Sequence, residues 1–508
     1  MTTHAIAVAG TIRHRPVVMM TTMLAASIYS LNLTIVSISL PHMQGTFSAT
    51  PDQIAWVVTA FIVGMTTMIV ATGWLSRRFG RKQLFTLSLV LFTMASLMCG
   101  QATTLEAEVL WRFLQGIAGA PIIPLSQAIA IDSYPDEDHG KAIGIWGIGN
   151  MIGPIIAPPI GGYLTELYGW PAVFSINLPL GLLAILGSAL FVPANRPARG
   201  ERFDQLGFAV LVVALVSLQL ALNRGARLDW FESSEILTEV MLGAVLLYVF
   251  VIHAFTARHP LLKPAMFREP NYAAGLLVAF GFGLLVFLPT ILLPLLLKNL
   301  RGYPIETIGL LLAPRAAGVL AGNLIVGMLV RRLEPRRLMA AGFIGMGLSA
   351  WFMSRWTLDV GTWDVAWAGC LQGFASSFAF VPLAARAFVH VESRFRADSM
   401  PMFYLALNIG GSLGIAGVIT YWSESAQGNH ALLAEHVNAF NPLFRSGSLS
   451  GLWSLDRGSS VAALDGEIVR QASMIAYDNS FTLVAIVAFV VAPLAFLMRR
   501  RESGRPAP

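Results

Sequence analysis

Arg112 lies inside an apolar stretch, Trp111-Arg-Phe-Leu-Gln-Gly-Ile-Ala-Gly119, and is the strongest single pointer to chemistry in the sequence. A cation within a membrane-spanning helix costs on the order of 2.5–3.5 kcal/mol on insertion scales, so such residues face a bundle interior or a wet cavity. There it can set the local field and tune proton affinity; the competing reading is a structural arginine that snorkels or bonds backbone carbonyls. Glu108 stands one turn earlier, where the two side chains share a helix face and can pair. Protonating a buried carboxylate releases its arginine, which would turn proton arrival into an exchange of partners. A Glu108 solvated at the outer end of the helix is equally open. Gln115, one turn after Arg112, and Asn32, in the first apolar segment, complete the candidates for proton coupling or a central cavity. Arg315, which follows Pro314, and Arg386 also fall within apolar segments; Arg386 is near enough to a helix end to snorkel, whereas Arg315 is ambiguous. Asp132, Glu239, Asp364 and Glu424 stand near segment ends, and no carboxylate falls clearly at mid-membrane.

Other chemistries are excluded by what the chain lacks. The nine histidines show no HxxxH or HExxH spacing, and Cys99 and Cys370 are the only cysteines, so neither a zinc signature nor a disulfide framework is present. Gly140-Lys141 runs on into Ala142, which leaves no phosphate-cradling loop and no intrinsic ATPase. No cofactor and no metal are expected. The net charge of +6 sits between hydrophobic segments, which argues for a bilayer rather than nucleic acid as the partner.

The elements that must position these residues follow from composition. Of 508 residues 56% are apolar and 12% charged, against roughly 45–50% and 25% in soluble domains. Fourteen segments long enough to span a bilayer centre near Ile28, Ile62, Leu91, Ala120, Met151, Leu182, Val213, Leu246, Leu285, Leu320, Gly345, Ser376, Gly414 and Ala488. The first is too long for a signal-peptide core and is expected to be retained. With the N-terminus inside, eight cations fall outside (Arg224, Arg227, Lys298, Arg301, Arg355, Arg445, Arg457, Arg470). Three fall within spans (Arg112, Arg315, Arg386), and the other 23 of the 34 lie inside. The positive-inside rule then places both termini in the cytoplasm.

The chain also repeats itself. Gly73 to Leu84 aligns with Gly327 to Leu338 at an offset of 254, and Leu114-Gln115-Gly116 with Leu371-Gln372-Gly373 at 257. Two homologous halves are expected, 1–198 and 261–508, each a six-helix bundle, with two inserted linker helices over 199–260. A long outward loop is expected over 425–479, with turn residues at Asn441-Pro442 and 447–451 and a short amphipathic helix near Val461 to Ile475. Its length suits docking of a partner. Gly149 to Gly162 combines Gly149, Gly153, Gly161 and Gly162 with Pro154, Pro158 and Pro159, a pattern of either a kinked gate or a close-packing face. Gly73, Arg77, Arg78, Gly80, Arg81 and Lys82 read as a tight inward loop whose cations either fix topology or act as a latch.

On these residues the chain resembles the major facilitator superfamily, in particular the fourteen-helix drug:proton antiporters of the EmrB/QacA type. The resemblance rests on Leu31 to Pro41, on Gly73 to Lys82 (motif A), on Arg112 to Gly119 (motif B) and on Gly149 to Gly162 (motif C). Gly116 to Gln127 and Leu218 to Phe231 are similar to the EmrB type in particular. It implies an all-α polytopic membrane protein of that fold: two six-helix bundles plus two extra helices in a bacterial inner membrane. It also implies a proton-driven exporter of drugs or other hydrophobic compounds, and a periplasmic EmrA-like adaptor with a TolC-type outer-membrane channel as partners. Two positions depart from the pattern: Asn32 stands where the family has an aspartate implicated in proton coupling, and Arg77 where motif A carries an acid. Coupling is then expected to have moved, with Glu108 and Arg112 as the leading candidates. A dedicated exporter of a metabolite, lipid or siderophore is the second reading; a membrane enzyme or a receptor is the remote one.

Overall fold

The computed structural model describes residues 14–135, 138–194, 202–330, 332–388, 391, 396–438, 441 and 458–499. In hydrocarbon every backbone polar group must be satisfied within its own segment, and the chain meets this with helices throughout the described residues. The spanning helices are α1 (Arg15–Thr46), α2 (Pro51–Phe79), α3 (Arg81–Cys99), α4 (Leu105–Asp132), α5 (His139–Tyr168), α6 (Ala172–Phe191), α7 (Gln205–Arg224) and α8 (Ser234–Thr256). They continue with α9 (Pro270–Asn299), α10 (Ile305–Leu329), α11 (Pro335–Met353), α12 (Thr362–Ala387), α13 (Arg396–Glu435) and α14 (Gly458–Val491). Thirteen of these are long and apolar enough to cross a bilayer. The exception is α11, 19 residues long, whose first turn carries Arg336 and Arg337. It nonetheless packs between α12 and α14 as a full member of the bundle.

Caps and turns divide the helices where the sequence dictates. Thr50 and Gln53 form a capping box ahead of α2, and Thr104 accepts from the Ala107 N–H at the start of α4. Gly80 alone separates α2 from α3 with φ +91°, a conformation that excludes most side chains. The expected inward loop at Gly73 to Lys82 is therefore mostly helix: Gly73 and Arg77 lie within α2, because a single left-handed glycine suffices to turn the chain.

Glycines set the closest helix approaches, and they recur at the offsets of the sequence repeat. A Cβ on Gly64 would lie 2.2 Å from the Phe113 carbonyl and one on Gly116 2.1 Å from that of Phe61, so α2 and α4 touch backbone to backbone. In the later helices, Gly318 would meet the Cys370 carbonyl at 2.0 Å and Gly373 that of Arg315 at 2.0 Å. Gly318 follows Gly64 by 254 residues and Gly373 follows Gly116 by 257. Gly116→Ala is thus expected to force α2 and α4 apart and to destabilise the protein by about 1–3 kcal/mol, whereas nothing lies within 4 Å of a Cβ on Gly162 and Gly162→Ala should be neutral. Thermal unfolding followed by size-exclusion fluorescence checks both.

The described ends of the chain lie on one face. Lys82 donates to the Ala189 carbonyl (2.8 Å), His14 packs edge-on against Phe191, and Arg77 joins Asp398. From there Tyr272 donates to the Ser399 carbonyl (3.0 Å), and the Arg499 N–H to Asn271 (2.7 Å). Contacts between the first six and last six helices gather toward this face. Gly140 approaches Val330, Gly144 and Gly147 approach Asn323, and Tyr404 donates to Gln127 (2.8 Å). Away from it α1 exposes Leu33, Ser37 and Pro41, at successive turns.

The pair α7 and α8 bridges α2 and α13. Gln219 donates to Ser412 (2.5 Å) and Trp230 to Thr420 (2.7 Å), both on α13, while the Arg224 guanidinium sits 5.6 Å over Trp56 of α2. Burial pushes the Asp204 carboxyl up, but the Gly207 N–H, His253 and the Leu261 N–H outweigh it and hold the group below the ordinary carboxylate range. That cluster ties the start of α7 to the end of α8.

Within the expected loop over 425–479, the described stretches 425–435 and 458–479 are helical. With 40 residues, α13 extends about 60 Å, roughly twice the hydrocarbon thickness, and α14 with 34 extends about 50 Å. Their projecting ends are joined by His430 to Asp465 (3.0 Å) and Asn479 to Ser425 (3.0 Å), with Trp422 packed on Tyr477. The amphipathic helix expected near Val461 to Ile475 is part of α14. Its charges sit at helical spacing, as in Glu467 with Arg470 and Gln471, so polarity there marks a solvated helix rather than a loop. Pro442 and positions 447–451 lie outside the described residues.

Candidate buried guanidinium site

Arg112 is only 1% exposed, and its guanidinium is held by neutral oxygens from three helices. Its Nε–H donates to the Val57 carbonyl of α2 (3.1 Å), and Nη1 donates to Asn32 Oδ1 of α1 (2.7 Å) and to Gln115 Oε1 of α4 (2.5 Å). The Phe61 ring lies 4.4 Å below the cation and Phe174 6.0 Å away, which adds a cation–π contribution in a desolvated setting. The close α2–α4 approach at Gly64 and Gly116 is what brings Val57 and Phe61 to the guanidinium. The sequence candidates Arg112, Asn32 and Gln115 thus form one cluster. Asn32 supplies an acceptor that does not titrate, so at the position where an aspartate was the pattern the contact to Arg112 is independent of pH.

Glu108 is fully buried, which removes the solvated reading, but it does not bond Arg112. Both carboxyl oxygens are buried with no hydrogen-bond partner among the described residues. The two side chains share a helix face as expected; the Nε and Nη1 donors of Arg112 are instead taken by Val57, Asn32 and Gln115. Cys99 and Arg112 are the polar neighbours of this carboxyl.

The remaining candidates divide between the two faces of the bundle. Within α5, Gly149, Gly153 and Gly161 pack on α1, a Cβ on Gly153 lying 2.3 Å from the Ser27 carbonyl; Pro154 is half-buried and the helix continues through it. Gly162 touches nothing, and the Pro158 side chain lies outside the described residues. On the terminal face Arg77 pairs with Asp398 at the start of α13, and Arg81 pairs with Asp132. Arg78 is exposed, and Gly73 and Gly80 are buried. Arg386 donates to the Arg499 carbonyl (3.2 Å), in keeping with its place at a helix end.

Sequence reasoning missed Asp398, Asn323, Gln127 and Tyr404, all of which join the first six helices to the last six. A signal existed for Asp398: an acid in the first turn of a helix, where the helix dipole favours it.

Comparison with known proteins decides the family. The sequence pattern of the Major Facilitator Superfamily matches residues 22–415. The chain belongs to this superfamily. It is 30% identical over 483 residues to the multidrug export protein EmrB of Escherichia coli (strain K12), covering 94% of each chain. It is 27% identical over 481 residues to the fatty acid resistance protein FarB of Neisseria gonorrhoeae, again covering 94% of each. Among solved structures it superposes on the proton:xylose symporter XylE with a TM-score of 0.58 at 13% identity, covering 96% of this chain and 99% of that one. The human organic anion transporter MFSD10 gives 0.59 at 13% identity, with coverage of 94% and 99%. These structures speak to fold alone. Within the superfamily the chain is an EmrB-type, multi-pass efflux transporter, and it is a secondary transporter rather than an enzyme.

Proposed function

We propose that this transporter exports drugs and other hydrophobic or amphiphilic toxic compounds, fatty acids among them, across a bacterial inner membrane by proton antiport. The buried Arg112 cluster carries this reading: a cation locked to neutral acceptors, with an unpartnered buried carboxyl one turn away. Burying an isolated charge costs several kcal/mol, so loss of the Glu108 proton draws the guanidinium from Asn32 toward Glu108, and proton return sends it back. Each exchange loosens or restores the join between α1, α2 and α4. The bundles 1–198 and 261–508 rock about that change, with α5 sliding on α1 along the motif C glycines and α7–α8 bracing the cleft.

The terminal face, where Arg77 meets Asp398 and Gly144 meets Asn323, is the cytoplasmic side, closed in this conformation. The face of α1 that exposes Leu33 and Ser37 then lies on the outward side. The names of the relatives EmrB and FarB support the substrate range, and the helical projection of α13 and α14 offers an EmrA-like adaptor a rigid surface, with a TolC-type channel beyond. The test is drug accumulation in cells lacking their own efflux pumps. Expression should lower steady-state accumulation of at least one amphiphile and a protonophore should restore it; accumulation unchanged across cationic, anionic and neutral compounds overturns export.

A further inference from the structure

The second half carries a guanidinium at the place that Arg112 occupies in the first, delivered by a different helix. Arg315 stands 254 residues after Phe61, while Gly369 stands 257 after Arg112, so the cation has moved to the other helix of the pair and a glycine stands where Arg112 would be repeated. A Cβ on Gly369 would lie 3.6 Å from Arg315 Cβ, and the arginine stem fills the space above it. Arg315 Nε donates to Gln372 Oε1 (2.6 Å) just as Arg112 donates to Gln115, and Gln372 follows Gln115 by 257. Its Nη2 donates to the Val286 carbonyl (3.1 Å) in the middle of α9, the first helix of its half, as Asn32 lies in the middle of α1.

The differences between the two sites are what matter. Arg112 is sealed, whereas Arg315 is partly exposed. It makes no ion pair among the described residues, and its Nη1 makes no hydrogen bond there. The amide oxygen of Gln372 faces Arg315, so its Nε2 is a second buried donor without a partner among the described residues, as is Nε2 of Gln115 in the first half; the exposure of the cation is what sets the two sites apart. A water-sized recess on Gln372, which Arg315 does not line, is otherwise walled by Leu285, Pro289, Met346, Ala350, Met353 and Val484, none of which offers a carboxylate or amide oxygen. Arg315 also points away from the exposed stripe Leu310, Ala317, Ala321, Leu324 and Met328, toward the interior of the bundle. A half-buried cation without an ion pair beside a buried amide donor is the donor pair that a single anionic headgroup takes up.

Resting on the export reading above, we propose that Arg315 with Gln372 binds the carboxylate of amphiphilic acids carried by this transporter. Arg112 is committed to coupling and Arg315 to substrate charge. The test uses the purified full chain and two matched probes, dodecanoate and dodecanamide, with binding read from tryptophan fluorescence. Arg315→Gln should weaken dodecanoate by about tenfold or more and leave dodecanamide unchanged, and Arg315→Lys should recover part of the loss. Unchanged dodecanoate affinity, or equal losses for both probes, overturns the assignment. A wild type that exports a cationic or neutral drug but binds no dodecanoate also overturns it and leaves export standing. One that binds dodecanoate through Arg315 but exports nothing sustains the site and overturns export.

Discussion

Arg112→Ala is expected to abolish export while the protein still reaches the membrane. The substitution strips three buried acceptors, Val57 O, Asn32 Oδ1 and Gln115 Oε1, of their common donor and leaves Glu108 with no cation to exchange with. Each unsatisfied buried acceptor costs about 1–3 kcal/mol, so some loss of thermal stability accompanies the loss of transport. Arg112→Lys separates the two effects: the charge remains, but a point cation cannot serve three oxygens in the geometry of a planar fork. It should fold better than the alanine variant and still transport poorly. Resistance assays beside immunoblots of the membrane fraction measure both quantities, and near-normal transport in Arg112→Ala would remove the cluster from the mechanism.

The second large effect concerns the contact between Arg77 and Asp398, whose side chains are 14% and 4% exposed. Breaking a pair this buried by altering one partner costs about 3–5 kcal/mol. Since the pair joins the two sets of six helices, that energy falls on the state in which the face bearing this pair is closed and shifts the equilibrium between states by roughly a hundredfold or more. Arg77→Asp and Asp398→Arg should each lose most transport, and the double exchange should recover a large part of it. Additive losses in the double variant would mean that the two residues act independently.

Much of this architecture was legible in the sequence because the bilayer leaves few solutions. Apolar length located the helices, and the offsets of 254 and 257 reappear in three dimensions as the paired glycine contacts of α2 with α4 and α10 with α12. Arg112, Asn32 and Gln115 were legible individually, since each is polar in an apolar context, but their convergence on one guanidinium depends on an approach between α1, α2 and α4 that no local pattern encodes. Glu108 was legible as a neighbour able to pair with Arg112, but not whether it does, because helix spacing says which residues share a face and not which acceptor wins. The partner of Arg77 lies 321 residues away in sequence, and the substitution of cation for acid in motif A makes physical sense only once Asp398 is seen opposite it. The helix near Val461 to Ile475 was legible from its spacing, but its continuity with the last spanning helix, and the helical run over 425–435, were not, because polar residues beyond an apolar segment say nothing of where the helix stops.

The most direct test of the coupling scheme measures proton movement in inverted inner-membrane vesicles with a quenched pH dye, comparing wild type with Glu108→Gln at matched expression. An exported amphiphile added to energised wild-type vesicles should collapse part of the gradient, and the same addition to Glu108→Gln vesicles should leave it intact. Equal collapse in both would place the proton elsewhere and contradict the exchange between Glu108 and Asn32 on which the mechanism depends.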